Sequence, residues 1–229
     1  MVRSRAVLTV HGMDTVIPGL YASAPEALPF ARSLEVRAFL LRRDAGNLLV
    51  YSAPPAAGEA AAVEQLGGVT RQYLNHWHEA AFGGAEQVAA ALGAPVFSHA
   101  DDRDRVAETV AVGGTFAEGA VLDGDFELIP TPGHTPGATA YLWDSGSRRV
   151  LFTGDSIYLE DGEWVGAVLE SSDRAAYVES LELLRELDFD VLLPWAATAG
   201  RPFHAVTSRA DAGRRLGEIV ARVRRGENR

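Results

Sequence analysis

From Glu118 to Asp155 the chain repeats one local pattern, a short apolar run closed by a turn dipeptide. The stretch "GAVLDGDFELIPTPG" is followed by "ATAYLW", a reversal at "DSGSRR" and the run "VLFTGD". Asp-Gly and Ser-Gly supply the backbone conformations that tight reversals need, so this part of the chain reads as strands folded back on one another. An earlier block shows the same habit. Alternation in Leu34 to Asp44, a turn at "AGN" and the run Leu48 to Pro54 predict two paired strands.

Helical patterns follow each block. "GEAAAVEQLGG" has helical composition and a Gly-Gly stop, "VTRQYLN" is strand-like, "GAEQVAAALG" is a short helix ending at Gly93, and "PVFS" is the next buried strand. Later, "DRAAYVESLELLREL" sets Tyr177, Leu181, Leu184 and Leu187 on one helical stripe, and "DVLLP" is a short strand. Ala205 to Arg225 reads as a final amphipathic helix with Leu216, Ile219, Val220 and Val223 facing inward. Two strand-rich blocks, each followed by helices, predict sheets packed face to face with helices outside. "PPAAGEAAA" reads as a loop entering a helix, and no linker, repeat or low-complexity tract divides the chain. One domain over residues 1–229 is the simplest expectation.

Composition removes several kinds of chemistry. There is no cysteine, hence no disulfide, thiolate ligand or cysteine nucleophile. All 21 basic residues are arginine, so there is no Schiff-base or P-loop lysine. A formal charge of −10 opposes a nucleic-acid backbone or an anionic membrane as partner. Arg3 and Arg5 precede the apolar run "AVLTV", which His11 ends and which is shorter than a signal-peptide core of ~7–15 residues. No run reaches the ~18 apolar residues of a membrane span. The expectation is a cytoplasmic protein acting on a small molecule, with oligomeric state, a homodimer included, left open.

Three loops carry candidate chemistry. In "NHWHE" an extended backbone would bring His76 and His78 out on one face, where both imidazoles reach one ion; the bland alternative is two hydrogen-bonded structural histidines. In "TPGHTPG" the Pro and Gly residues on either side hold His134 on a rigid bend, as a preorganised ligand would be held. In "LFTGDSIY" an apolar strand ends at Gly154 and Asp155, a turn-forming aspartate or an oxygen ligand.

These three motifs, in this order, resemble those of the metallo-β-lactamase fold superfamily, in particular its glyoxalase II-like hydrolases. "NHWHEAAFGGAEQVAAALGAPVFSH" is similar to the family's first histidine motif with the helix and strand that follow. "TPGHTPGATAYLW" is similar to its third-histidine loop, and "VLFTGDSIY" to its metal-bridging aspartate. The resemblance implies an α/β fold, a four-layer αββα sandwich of two mixed β-sheets flanked by helices, with the site at one edge between the sheets. It also implies that His76, His78, His134 and Asp155 are metal ligands.

The chain departs from the pattern at four places. The family motif His-x-His-x-Asp-His here ends in Ala80 and Ala81, so the positions matching two second-metal residues carry methyl groups. The strand that usually ends in a supporting aspartate has Tyr51. The stretch matching "Pro-Gly-His-Gly" reads "LLPWAATAG", with Trp195 and Ala196 in place of Gly-His. Trp195 and Tyr51 are expected to fill the space that a second metal would take.

What remains matches one metal's ligand set. Three histidines and an open position suit zinc, with iron or manganese as alternatives, and acidify a bound water toward ~7. The expected activity is hydrolysis of a small ester, thioester or lactone through a single metal-bound water, with Asp155 and Glu79 as the candidate catalytic carboxylates. Glu79 would point away from the site if its segment were extended. His204 is a candidate substitute ligand and His99 a further site candidate, while His11 is expected to be solvated. Losing the motif aspartate removes a positioned base worth ~10²- to 10⁴-fold. The competing reading is a catalytically inactive scaffold that binds a ligand or partner, with no metal at all.

Overall fold

Strand alternation divides the interior into two apolar cores. The computed structural model describes residues 9–10 and 12–229; His11 and most of the "AVLTV" run lie outside them. On the strand Thr139–Asp144, Tyr141 and Trp143 face one core while Ala140 and Leu142 face the other. The strand Arg149–Gly154 repeats the division with Val150 and Phe152 against Leu151, as a two-residue side-chain period requires.

The first core lies between sheets. One sheet has eight strands in the order Thr9–Val10, Met13–Ile17, Leu20–Ala22, Phe39–Leu41, Leu48–Val50, Arg71–Tyr73, Val96–His99 and Val112–Phe116. Facing it is a second layer divided in two. Six strands run Ala120–Leu122, Phe126–Pro130, Thr139–Asp144, Arg149–Gly154, Val191–Pro194 and Ala205–Val206. Five run Glu163–Gly166, Ile157–Glu160, Ala196–Thr198, Ala31–Val36 and Glu26–Leu28. Phe39 and Tyr51 from the first sheet meet Phe152 from the second layer at ring separations of 6.1 and 5.9 Å.

The second core lies under the helices Arg174–Glu186 and Arg209–Arg224. Their inward stripes, Tyr177, Leu181 and Leu184 on one and Leu216, Ile219, Val220 and Val223 on the other, pack on Leu142, Leu151 and Leu192. A smaller cluster of Leu74, Ala80, Ala85, Val96 and Val106 seats the helices Trp77–Phe82, Ala85–Leu92 and Arg103–Ala107 on the outer face of the eight-stranded sheet. The layers are therefore α, β, β, α, and both β layers are mixed in strand direction where helices intervene. No helix among the described residues is long and apolar enough to cross a membrane.

Three local expectations need correction. Leu34 to Asp44 is not one strand: Ala31–Val36 pairs with Ala196–Thr198 in the second layer, and Phe39–Leu41 pairs with Leu48–Val50 in the first. The chain crosses between layers at Arg37 and Ala38, tied by the Arg37 guanidinium to Ser23 O and by Ala38 N to Ser23 Oγ (3.0 Å). Next, the last helix begins at Arg209, capped by Ser208 Oγ accepting from Asp211 N, because Ala205–Val206 extends the six-stranded sheet beside Val191–Pro194. Finally, the second layer contains two sheets, since both Arg149–Gly154 and Val191–Pro194 break pairing before their chains continue at Ile157 and Ala196.

Candidate metal centre

The loop after the strand Arg71–Tyr73 begins the site. Asn75 ties the layers together: its backbone O accepts from Thr139 N (2.9 Å), and its side-chain amide donates to Thr139 O. His76 is still extended (φ −156°), but Trp77–Phe82 is a helix, so His78 sits in its first turn. The extended His-x-His expected from the sequence is thus corrected. The two rings nevertheless converge, with centroids 4.9 Å apart.

Glu79 explains why the helix starts there. Three residues beyond the capping position, it turns back so that Oε1 accepts from Asn75 N (2.9 Å) and lies 3.2 Å from His76 Nδ1. "H-W-H-E" has the spacing of a capping box but only half of its bonding: the Glu79 carboxyl reaches back to the backbone before the helix, while the His76 side chain at the capping position accepts no bond from the helix backbone. Glu79 therefore does not point to the opposite face of a strand. It is wholly buried behind His76 and does not line the cleft described below.

His134 is held from three sides. Gly133 has φ +136°, and a Cβ there would lie 2.3 Å from the Cα of Tyr177, so the loop rests directly on the start of the helix Arg174–Glu186. Asp173 N donates to Gly133 O (2.9 Å), Ser172 Oγ to His134 O (3.0 Å) and Ser180 Oγ to Pro132 O (2.7 Å). On the other side Gly137 N donates to Asp102 Oδ1 (2.9 Å), where a Cβ would come within 2.7 Å of that carboxylate. Asp102 also accepts from Thr135 Oγ1 (2.7 Å) and from Trp77 N (3.0 Å). One buried carboxylate thereby fixes the loop bearing His134 against the helix bearing His78. The sequence reading missed Asp102, whose signal is an aspartate three residues after His99 at the end of a buried strand.

Together the rings of His76, His78 and His134 form a nearly equilateral triangle, with centroids 4.9, 4.9 and 5.1 Å apart and planes close to perpendicular. Asp155 follows the strand Arg149–Gly154 and places Oδ2 3.5 Å from His76 Nε2. One ligand atom from each of the four residues lies within 4.8 Å of every other. The outer nitrogens are engaged. His76 Nδ1 faces Glu79, and His134 Nδ1 donates to Ala167 O (2.8 Å), which leaves both Nε2 lone pairs aimed inward. His76 Nε2 and Asp155 Oδ1 are buried without a hydrogen-bond partner, and His78 Nδ1 lies 3.1 Å from His134 Nε2.

Electrostatics agree with this donor set. Burial pushes His76 down to about 3. Burial and then the neighbouring His76 and His134 push His78 to about 3, and burial with His76 pushes His134 to about 4. All three imidazoles are therefore neutral at pH 7, the form that ligates a cation. Burial raises Asp155, against the pull of His134 and His78. Three neutral nitrogens and one carboxylate oxygen at this spacing fit one divalent cation such as zinc. Burial pushes the Glu79 carboxyl well above the ordinary carboxylate range; replacing it by glutamine keeps an acceptor for Asn75 N but changes the group that faces His76 Nδ1. Metal titration of Glu79→Gln should show ~10- to 100-fold weaker affinity with the fold retained.

His78, His134 and Asp155 open onto a cleft of about 410 Å³; Leu28, Phe30, Leu34, Phe82, Tyr158, Leu169 and Trp195 form most of its wall. Trp195 stands edge-on to His76 at 5.6 Å and donates Nε1–H to Ser52 O (2.8 Å). Tyr51 is fully buried, and its hydroxyl bridges Leu193 O and Gly154 N at 2.8 Å each. Ala80 packs in the helix cluster and Ala81 faces solvent, so neither extends the ligand set. Two sequence candidates lie elsewhere. His204 packs on Phe203 outside the cluster, and His99 bridges Asp101 N and Ala117 O as a structural cap.

Comparison with known proteins follows the same line. Residues 57–196 match the family described as the metallo-beta-lactamase superfamily. A hydroxyacylglutathione hydrolase of Rhodospirillum rubrum is 32% identical over 160 residues, covering 68% of this chain and 59% of that protein. A protein of the same name from Anaeromyxobacter dehalogenans is 34% identical over 130 residues, covering 56% and 46%. The chain thus spans about half the length of these relatives. Among solved structures, a metallo-β-lactamase from Hirschia baltica aligns over 91% of this chain and 96% of that one, with a TM-score of 0.69 at 13% identity. At that identity the likeness concerns the fold.

Proposed function

Since the chain belongs to the metallo-β-lactamase superfamily, we propose that it hydrolyses a small ester, thioester or lactone, using one divalent cation held by His76, His78, His134 and Asp155. The carrying observation is the orientation of the donors. Glu79 and the carbonyl of Ala167 occupy the outer nitrogens of two histidines, so their free lone pairs converge on one point beside the cleft. Zinc is the proposed ion, with iron and manganese as alternatives, and a cation bound there supplies Lewis acidity and a more acidic water.

The chain's own residues do the rest. His78 and His134 bound the cleft floor, and the apolar wall excludes bulk water from the reacting carbonyl. Asp155 is the carboxylate that lines the cleft among the described residues, and it is the group placed to orient a water and take its proton. Glu79 acts as a positioning residue through His76. Ala80, Ala81 and Ala196 leave no ligands for a second ion where the family's motif carries them, which supports a mononuclear site. The same reading keeps the substrate a small molecule rather than a nucleic acid, in line with the charge of −10, and places the reaction in the cytoplasm as part of the proposal.

Metal analysis of untagged protein tests the assignment. The expected result is about one zinc, iron or manganese per chain, with ester or thioester hydrolysis that a chelator abolishes and the metal restores. Protein that binds no divalent ion at neutral pH overturns it and leaves the non-catalytic scaffold as the reading.

A further inference from the structure

The walls of the cleft speak to what enters it. Six large hydrophobic side chains are exposed among the described residues, and three of them, Phe30, Phe82 and Leu169, sit at this one opening. Phe30 lies at the tip of the hairpin formed by Glu26–Leu28 and Ala31–Val36, 65% exposed, with its ring 4.9 Å from that of Phe82 in an edge-on contact. Leu28 and Leu34 of the same hairpin continue the wall toward Tyr158 and Trp195. Exposed aromatic rings over an apolar trough are unfavourable in water unless something apolar covers them.

Charge narrows the choice. The chain has no lysine, and among the described residues no arginine lines the cleft. The guanidinium of Arg105 lies over the Trp77 ring at 4.4 Å and is paired with Glu108 at 3.1 Å. Arg229 donates to Tyr158 Oη (3.0 Å) and is paired with Glu160. Away from the cation proposed at its floor, the trough offers an entering carboxylate no charged partner among the described residues, so a neutral arm enters at a lower desolvation cost.

We infer that this cleft takes uncharged esters or thioesters with an extended apolar acyl or aryl arm, and that it disfavours the thioesters of glutathione, whose tripeptide carries two carboxylates. The inference rests on the hydrolase reading for the reaction, although not for binding. In the reaction, water oxygen bonds to the acyl carbon and the C–O or C–S bond breaks. The departing alcohol or thiol takes one proton, and the acid releases the other to solvent. The apolar arm lies between Phe30, Phe82 and Leu169, and the carbonyl lies beside His78, His134 and Asp155.

Two measurements test this on the metal-loaded protein. The first compares kcat/KM for the acetate, butyrate and octanoate esters of 4-nitrophenol and for a hydroxyacyl thioester of glutathione. A rise of ~10-fold or more from acetate to octanoate is expected, with the glutathione thioester below octanoate. Phe30→Ser, at an exposed position, should shrink the octanoate-over-acetate ratio. A flat series, or a glutathione thioester turned over faster than octanoate, overturns the inference. The second is calorimetric titration with 2-decanone and with glutathione, neither of which requires turnover. Binding of the ketone and not of glutathione supports the inference even if no ester is cleaved, a result that would count against the hydrolase reading. Binding of glutathione in preference, or of neither, overturns the inference itself.

Discussion

Replacing His134 by alanine is expected to reduce bound metal from about one ion per chain to a small fraction of that, and to reduce any hydrolytic turnover by more than ~100-fold. The lower bound follows from the ~10- to 100-fold that loss of a residue behind a ligand already costs; removing the ligand itself costs more. The geometry isolates the effect. His134 donates one hydrogen bond, to Ala167 O, and its loop is held by Gly133, Asp102, Ser172 and Ser180 contacts that alanine at 134 leaves in place. The variant should therefore fold, with unchanged far-ultraviolet circular dichroism. Metal content and turnover measured side by side decide the matter. Full metal occupancy in His134→Ala would remove the four-residue site, and turnover surviving loss of metal would remove the mechanism.

Tyr51→Phe is expected to destabilise the protein by about 2 kcal/mol or more, an unusual cost for deleting one oxygen. The parallel pairing of Arg149–Gly154 with Val191–Pro194 shifts register between Phe152 and Gly154. That irregularity leaves Gly154 N and Leu193 O facing the Tyr51 hydroxyl, which bonds both. Phenylalanine preserves the ring contacts with Phe39 and Phe152 but strands two buried backbone groups, at ~1–3 kcal/mol for each unsatisfied group. Tyr51 also sits at φ +68°, a region that costs a non-glycine residue energy, so the hydroxyl's two bonds offset local strain. Urea unfolding of the apo protein gives the difference directly. A loss below about 0.5 kcal/mol would mean that water or a backbone shift mends the gap. Because Asp155 follows Gly154, the same variant should also bind metal more weakly.

Much of this site is legible in the sequence because it is built from local punctuation. "TPGHTPG" announces a bend that only particular packing allows, and Gly133 and Gly137 are small because Tyr177 and Asp102 come so close. Asp155 at a strand end, and the inward stripes of both late helices, follow from periodicity in the same way. What is not legible depends on distant partners. Ser23 ends the apparent strand at Arg37, from fourteen residues upstream. His78 joins the cluster from a helix because Glu79 caps that helix's start, a signal that the neighbouring histidines obscure. Ser208 marks the beginning of the last helix with a Ser-x-x-Asp spacing, overridden in an apolar-pattern reading by the preceding Ala205 and Val206. Trp195 and Tyr51 were expected to fill vacated space. Trp195 does form part of the cleft wall, but Tyr51 serves as a backbone bridge behind it.

The four donors come from opposite halves of the sandwich. His76 and His78 follow a strand of the eight-stranded sheet, whereas His134 and Asp155 follow strands of the six-stranded sheet. A bound cation would therefore act as a clasp across the seam, in parallel with the Asn75–Thr139 pairing and the apolar core between the sheets. Free metal at a thousand times its dissociation constant would add ~4 kcal/mol to the unfolding free energy, through a single point that resists separation of the layers. The first event on heating the apo protein should then be parting of the two sheets at this edge, exposing Trp195 and Phe152 while the outer helices remain docked. Metal availability would set the protein's lifetime in the cell as well as its chemistry.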